Sequence, residues 1–270
     1  MSAGGTPAPL VMGGTSGSGT RVLAALARAA GFYIGTDLSP ALDARAFLDF
    51  GSRWIDESLD AWQNDRAPLE ADAMEADFDD FVRRHRADLD DPARPWGFKE
   101  PRALAFLPLI ARVYPEARFV HIVRDGRDIA FKAFSRPDPH RDGRERWQNW
   151  MPAGQAVLVD PALADGPATP LKMALWARYN ELVADYGEST LGASYTRVRL
   201  EDLCQRPEEQ GRELLRFMID AEPSRELVSA AAAEITPSGA LGHWRQRDPG
   251  ELDDLMGLGG AALERFGYRR

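Results

Sequence analysis

An apolar strand that runs straight into a glycine-rich turn and then into a helix constrains this chain more than any other feature: Leu10-Val-Met-Gly-Gly-Thr-Ser-Gly-Ser-Gly-Thr-Arg21. Glycines at 13, 14, 17 and 19 let the backbone curl and approach a ligand, so that its N–H groups converge. The helix that follows, with Val22, Leu23, Leu26, Ala27 and Ala30 on one face, brings unpaired first-turn amides and a positive dipole end to the same point. The segment therefore predicts a phosphate cradle at the end of a strand.

The register of the loop separates two kinds of cradle. Set on G-x-x-x-x-G-K-[ST], it offers Gly14 and Gly19 but has Thr20 at the lysine and Arg21 at the metal-binding hydroxyl. A phosphotransferase using ATP and magnesium, with Asp125 as its metal-binding carboxylate, would lack two of its parts.

A second basic segment follows the same plan. Residues 118–123 read as a buried strand, Arg124 stands at its carboxyl end, and a helix with basic residues at its start and end comes next. Open α/β sheets place their ligands at carboxyl strand ends, which favours Arg124 as an anion ligand. Lys132 and Arg136 are four residues apart on one helix face, within reach of a single anion. For Arg127 the preferred reading is a solvated face paired with Asp125 and Asp128.

Alternating strands and helices predict a three-layer α/β/α domain around a central parallel sheet of about five strands: Pro9 to Met12, Gly31 to Ile34, Trp96 to Lys99, Phe119 to Val123 and Tyr195 to Leu200. At 270 residues and 44% hydrophobic content the chain can bury one sizeable core, so residues 1–270 are read as one domain. Two stretches break the alternation. Residues 39–95 form a helical insertion that would make an acceptor wall or lid, its Phe47, Phe50, Trp54, Trp62, Phe78 and Phe81 either lining that wall or packing on the sheet. Residues 137–170 read as a long loop.

A net charge of −9 argues against nucleic acid as a partner. Cys204 is the only cysteine, which rules out an intramolecular disulfide. The sequence shows no leader-like start and no membrane span, so a cytoplasmic protein is expected.

These motifs together resemble the sulfotransferases that use 3′-phosphoadenylyl sulfate (PAPS). Gly17-Ser-Gly-Thr-Arg21 fills the register of their 5′-phosphosulfate loop, [KR]-S-G-T-[TS], and Val120-His-Ile-Val-Arg-Asp-Gly-Arg-Asp128 contains their 3′-phosphate motif, [VI]-x-R-[DN]-x-[RK]-D. Lys99-Glu-Pro101 is similar to the family's K-[TSD]-P, Tyr195 to Leu203 followed by Pro207 to its Y-E-D-L…P segment with Leu200 in place of tyrosine, and Gly242-His-Trp-Arg245 with Leu263 to Tyr268 to the close of many bacterial members.

The resemblance implies a P-loop-like sulfotransferase fold, PAPS as donor, adenosine 3′,5′-bisphosphate (PAP) as product, no metal, and a small-molecule, glycan or lipid acceptor. It places Gly14, Thr15, Ser16, Gly17, Ser18, Gly19, Thr20 and Arg21 around the 5′-phosphate. Arg124, Lys132 and Arg136 go to the 3′-phosphate, with Lys132 standing where the family has serine; a lysine binds phosphate as a point charge. Glycine at 17 replaces the loop lysine or arginine that most relatives hold near the bridging oxygen, and Lys99 or Arg21 is expected to supply that cation instead. The general base is expected at Asp37 or Asp43, with Glu100 third. Adenine would stack on Trp244 or Tyr195. Two other readings stay open: the ATP-dependent phosphotransferase and a catalytically silent PAP-binding module.

Overall fold

The structure, a computed structural model, describes residues 7–132, 157–164, 167–236 and 241–269. Arg136 and much of the 137–170 loop lie outside the described residues.

Four parallel strands form the sheet among these residues: β1 Leu10–Gly13, β2 Gly97–Lys99, β3 Arg118–Val123 and β4 Tyr195–Arg199, in the order β2-β1-β3-β4. β1 is central, which puts the loop after it at the middle of the sheet's carboxyl edge. Leu10, Val11, Met12, Val120 and Ile122 are all at most 2% exposed, as expected of strands covered on both faces.

Alternation along each strand decides which layer its side chains meet. Leu10, Met12, Val120 and Ile122 pack with Leu23 and Leu26 of α1 (Thr20–Ala29). Val11, Phe98 and Phe119 point the other way, to the cluster around Phe47, Phe106 and Tyr179. The remaining principal helices are α2 Ala46–Gln63, α3 Ala71–His85, α4 Leu107–Val113, α5 Gly126–Ala130, α6 Ala168–Tyr186, α7 Leu200–Gln205, α8 Pro207–Ile219, α9 Arg225–Glu234 and α10 Pro249–Arg265. No described helix is long and apolar enough to cross a membrane.

The expected strand over residues 31–34 is a correction. Tyr33 makes one parallel bridge to Trp96, with its N–H donating to Pro95 O and its carbonyl accepting from Gly97 N. Gly31 and Gly35, at φ of 88° and 93°, turn the chain on either side of that rung, so the ladder stops after one residue.

α2 and α3 carry the aromatics of the insertion. Phe47, Phe50, Trp54, Phe78 and Phe81 are at most 4% exposed, and Phe47 meets Phe81 and Phe106 edge-on at centroid separations of 5.1 and 5.7 Å. Their rings build core and present no face to a ligand, while Trp62 rests edge-on against Tyr186.

The turn before α2 matters most for the site. Ser39 Oγ donates to Asp43 Oδ2 (2.7 Å) and accepts from Asp43 N (3.0 Å), and Ala44 N donates to Lys99 O (2.9 Å). These bonds fasten the turn to the carboxyl end of β2.

Candidate active site

The loop after β1 is held by close backbone packing. A Cβ on Gly14 would stand 2.3 Å from Ile122 O, so only glycine lets the loop lie against β3. Thr15 and Ser18 brace it from within: their hydroxyls are 2.7 Å apart and Ser18 N donates to Thr15 O at 3.0 Å. Both side chains are turned inward, 5% and 0% exposed.

The helix that begins at Thr20 has no side-chain cap and no acidic residue in its first turn. Among the described residues, no acceptor pairs with the backbone N–H groups of Ser16, Gly17, Gly19, Thr20 or Arg21. Five donors at the positive end of a ten-residue helix form an arrangement that an anion completes.

Arg124 stands beside this loop at the end of β3, its side chain only 4% exposed. Its Nη1 donates to Gly17 O (3.2 Å) and its Nη2 to Asp128 Oδ2 (3.1 Å). Asp128 also accepts from Gly242 N (2.7 Å) and Trp244 N (3.1 Å), so one buried carboxylate positions both the arginine and the C-terminal Gly-His-Trp turn. Sequence reasoning placed Asp128 in a surface pair and missed this junction. The signal was its position in the first turn of α5, four residues beyond Arg124 at the end of β3, where a carboxylate reaches back to the arginine.

Arg127 does pair with Asp125, through Nε to Oδ1 (3.0 Å) and Nη2 to Oδ2 (2.8 Å), but the pair is buried rather than solvated, at 3% and 7% side-chain exposure. Arg127 Nη2 donates also to Arg269 O (2.9 Å), tying α5 to the chain's end. Both oxygens of Asp125 are engaged by Arg127, Oδ1 accepting also from Arg127 N (2.9 Å).

Lys132 reaches the loop from the far end of α5. Burial, reinforced by the positive charge of Arg124, holds its ammonium below the usual lysine range. Two cations therefore converge beside the unpaired amides.

A second cluster forms at the end of β2. Lys99, 1% exposed, donates from Nζ to Asp43 Oδ1 (2.5 Å) and to Ala41 O (2.6 Å). Burial lowers its pKa and Asp43 works against that shift, while the positive charge of Arg21 adds to it. The structure thus brings two of the other expected catalytic residues, Asp43 and Arg21, within electrostatic reach of Lys99. Asp37 is not among them: its exposed carboxylate faces Arg45 at 3.5 Å. Glu100 caps the turn after β2, accepting from Arg102 N (2.6 Å) and Arg102 Nε (3.0 Å), and burial raises its pKa.

The expected adenine aromatics separate. Tyr195 opens β4 and pairs with Phe119, whereas Arg199 at the other end pairs with Val123. Four residues at about 3.3 Å each put Tyr195 roughly 13 Å from the loop's edge of the sheet. Its hydroxyl belongs to a core network: Asn180 Nδ2 donates to Trp176 O, so Asn180 Oδ1 accepts from His121 Nε2, and His121 Nδ1 accepts from the tyrosine. Tyr195 is therefore a structural residue. Trp244 lies on the loop's side, with the guanidinium carbons of Arg127 and Arg245 at 3.5 and 4.7 Å from its ring centroid. A purine stacking there would share the ring with these two groups.

The fold is similar to that of the sulfotransferase STF9 from Mycobacterium avium, with a TM-score of 0.57 and 12% identity over 98% of this chain and 78% of that one. It is similar also to a sulfotransferase from Alicyclobacillus acidocaldarius (TM-score 0.51, 15% identity, 97% and 94% covered). A third likeness is to the sulfotransferase domain from the curacin biosynthetic pathway (0.50, 13%, 98% and 99%). At these identities the likeness is one of fold. No curated protein matches the sequence. Residues 9–219, which hold the β1 loop, Lys99 and Arg124, match the sequence model of the Sulfotransferase family, and this chain belongs to that family.

Proposed function

We propose that this protein transfers a sulfuryl group from PAPS to a hydroxyl or amine of a small-molecule, glycan or lipid acceptor, releasing PAP. The observation that carries the reading is the uncapped start of α1, five unpaired amides with Arg124 and Lys132 beside them. An anion held by these groups is charged, buried on one side and anchored at the middle of the sheet, as a donor phosphate requires.

The chemistry asks for positioning and charge. The acceptor oxygen or nitrogen forms a bond to sulfur as the bond from sulfur to the 5′-phosphate oxygen breaks, the electron pair stays on that phosphate, and the acceptor's proton goes to a base. Asp43 suits the role of base better than Asp37, because Lys99 and Ser39 hold its two oxygens in place at 2.5 and 2.7 Å. The turn carrying Asp43, ahead of α2, would then form the acceptor side of the site. The acidic balance of the chain tilts the acceptor towards a small neutral or cationic compound.

Calorimetric titration with PAP, with and without magnesium and beside ATP, tests the proposal. Metal-independent micromolar binding of PAP is expected, weakened about 10- to 100-fold by Arg124→Ala through loss of a charged phosphate contact. Asp43→Asn should keep PAP affinity and lower kcat by about 10²- to 10⁴-fold once an acceptor is found. Binding of ATP with magnesium and none of PAP would overturn the reading. PAP binding without turnover across a broad acceptor panel would favour a silent binding module.

A further inference from the structure

Glycine stands at position 17, where the resemblance to PAPS-dependent sulfotransferases implies a basic side chain in most members. The structure shows what fills that space: a Cβ on Gly17 would stand 2.8 Å from Lys132 Nζ and 3.2 Å from Lys132 Cδ. A side chain at 17 would displace the Lys132 ammonium from the place where it rests. The left-handed backbone at Gly17, φ 90°, disfavours any L side chain as well.

We infer that Lys132 supplies, from the end of α5, the ammonium that the loop itself lacks, and that it serves the 5′-phosphosulfate end of the donor rather than the 3′-phosphate. The inference rests on the donor reading given above.

Three features support this assignment. The ammonium sits against Gly17, one of the residues whose N–H has no acceptor among the described residues, so any anion in the cradle lies beside it. The chain at Lys132 is anchored: Lys172 Nζ donates to Lys132 O (3.0 Å), and Lys132 N donates to Ile129 O (3.2 Å). The other two cations expected at this place are less suited. Lys99 stands at the end of β2, on the other side of β1 from Lys132, and Arg21 is exposed. An ammonium already desolvated beside Arg124 has more to gain from an incoming anion than a hydrated one. At the bridging oxygen it would stabilise the charge left on the phosphate when the S–O bond breaks.

Partial donors separate the two ends of the site. Adenosine 5′-phosphosulfate lacks the 3′-phosphate, and adenosine 3′-phosphate lacks the 5′ anion. Calorimetric titration of both, and of PAP, into the wild type, Lys132→Met and Arg124→Ala distinguishes the roles, methionine keeping the apolar stem while removing the charge. The expected result is a loss of at least about tenfold in affinity for adenosine 5′-phosphosulfate in Lys132→Met, the size of one charged hydrogen bond. Adenosine 3′-phosphate should bind that variant as it binds the wild type, whereas Arg124→Ala, which also removes a contact to Gly17 O, should weaken adenosine 3′-phosphate most. Weakened adenosine 3′-phosphate binding in Lys132→Met, or no change with either ligand, overturns the assignment while leaving the donor reading intact. A wild type that binds none of the three overturns both.

Discussion

Replacing Asp128 by alanine tests whether a single buried carboxylate organises the donor side of the site. The side chain is 1% exposed and accepts from Arg124 Nη2, Gly242 N and Trp244 N. Its removal takes from the Arg124 guanidinium, itself 4% exposed, the carboxylate that accepts from its Nη2. Breaking such a pair from one side costs about 3–5 kcal/mol, because the remaining charge stays desolvated. At about 2.1 cal/mol/K of unfolding entropy per residue, a chain of 270 residues shifts in Tm by roughly 2 °C per kcal/mol. Asp128→Ala should therefore melt about 5–9 °C below the wild type by calorimetry. Arg124→Met in the same background removes the other half of the pair, so the double variant should recover part of the loss, with a coupling of about 1.5 kcal/mol or more in the double-mutant cycle. A fall of less than 2 °C, or coupling within about 0.5 kcal/mol of zero, would refute the claim that Asp128 and Arg124 act as one unit.

Three further substitutions test the interior and the glycine positions. His121 is buried and neutral, with its pKa pushed down to about 3 by loss of solvent. Between pH 6.5 and that value the unfolded chain binds a proton that the folded chain does not, so stability falls as pH drops, by up to about 1.4 kcal/mol per unit. His121→Gln should flatten this part of the acid profile, and an NMR titration showing the imidazole taking up a proton near pH 6 would contradict it. Gly14→Ala should cost about 1–3 kcal/mol and most of the PAP affinity, because its methyl group would meet Ile122 O at 2.3 Å. Gly257→Ala, on an exposed stretch of α10 with nothing within 4 Å, should gain about 0.5–1 kcal/mol instead. Equal melting temperatures for the two variants would show that crowding at Gly14 is not what requires glycine.

The strand, glycine loop and helix of residues 10–29 were legible in the sequence because their physics is local: apolar continuity, backbone freedom and helical spacing all act within one stretch of chain. Arg124 could be read for the same reason, since it follows directly on an apolar run. The sequence determined, through these local patterns, the class of fold and the place of the glycine loop at the carboxyl end of a strand. Tertiary structure decided the partners. Lys99 and Asp43 are 56 positions apart and meet because Ala44 bonds to the end of β2. Gly17 and Lys132 come together because β1 and β3 are sheet neighbours, which makes a lysine beyond α5 a neighbour of the loop after β1. Tyr195 was misplaced for want of the same information: which end of a strand faces the loop depends on the register between strands, and register is set by long-range pairing that no local pattern encodes.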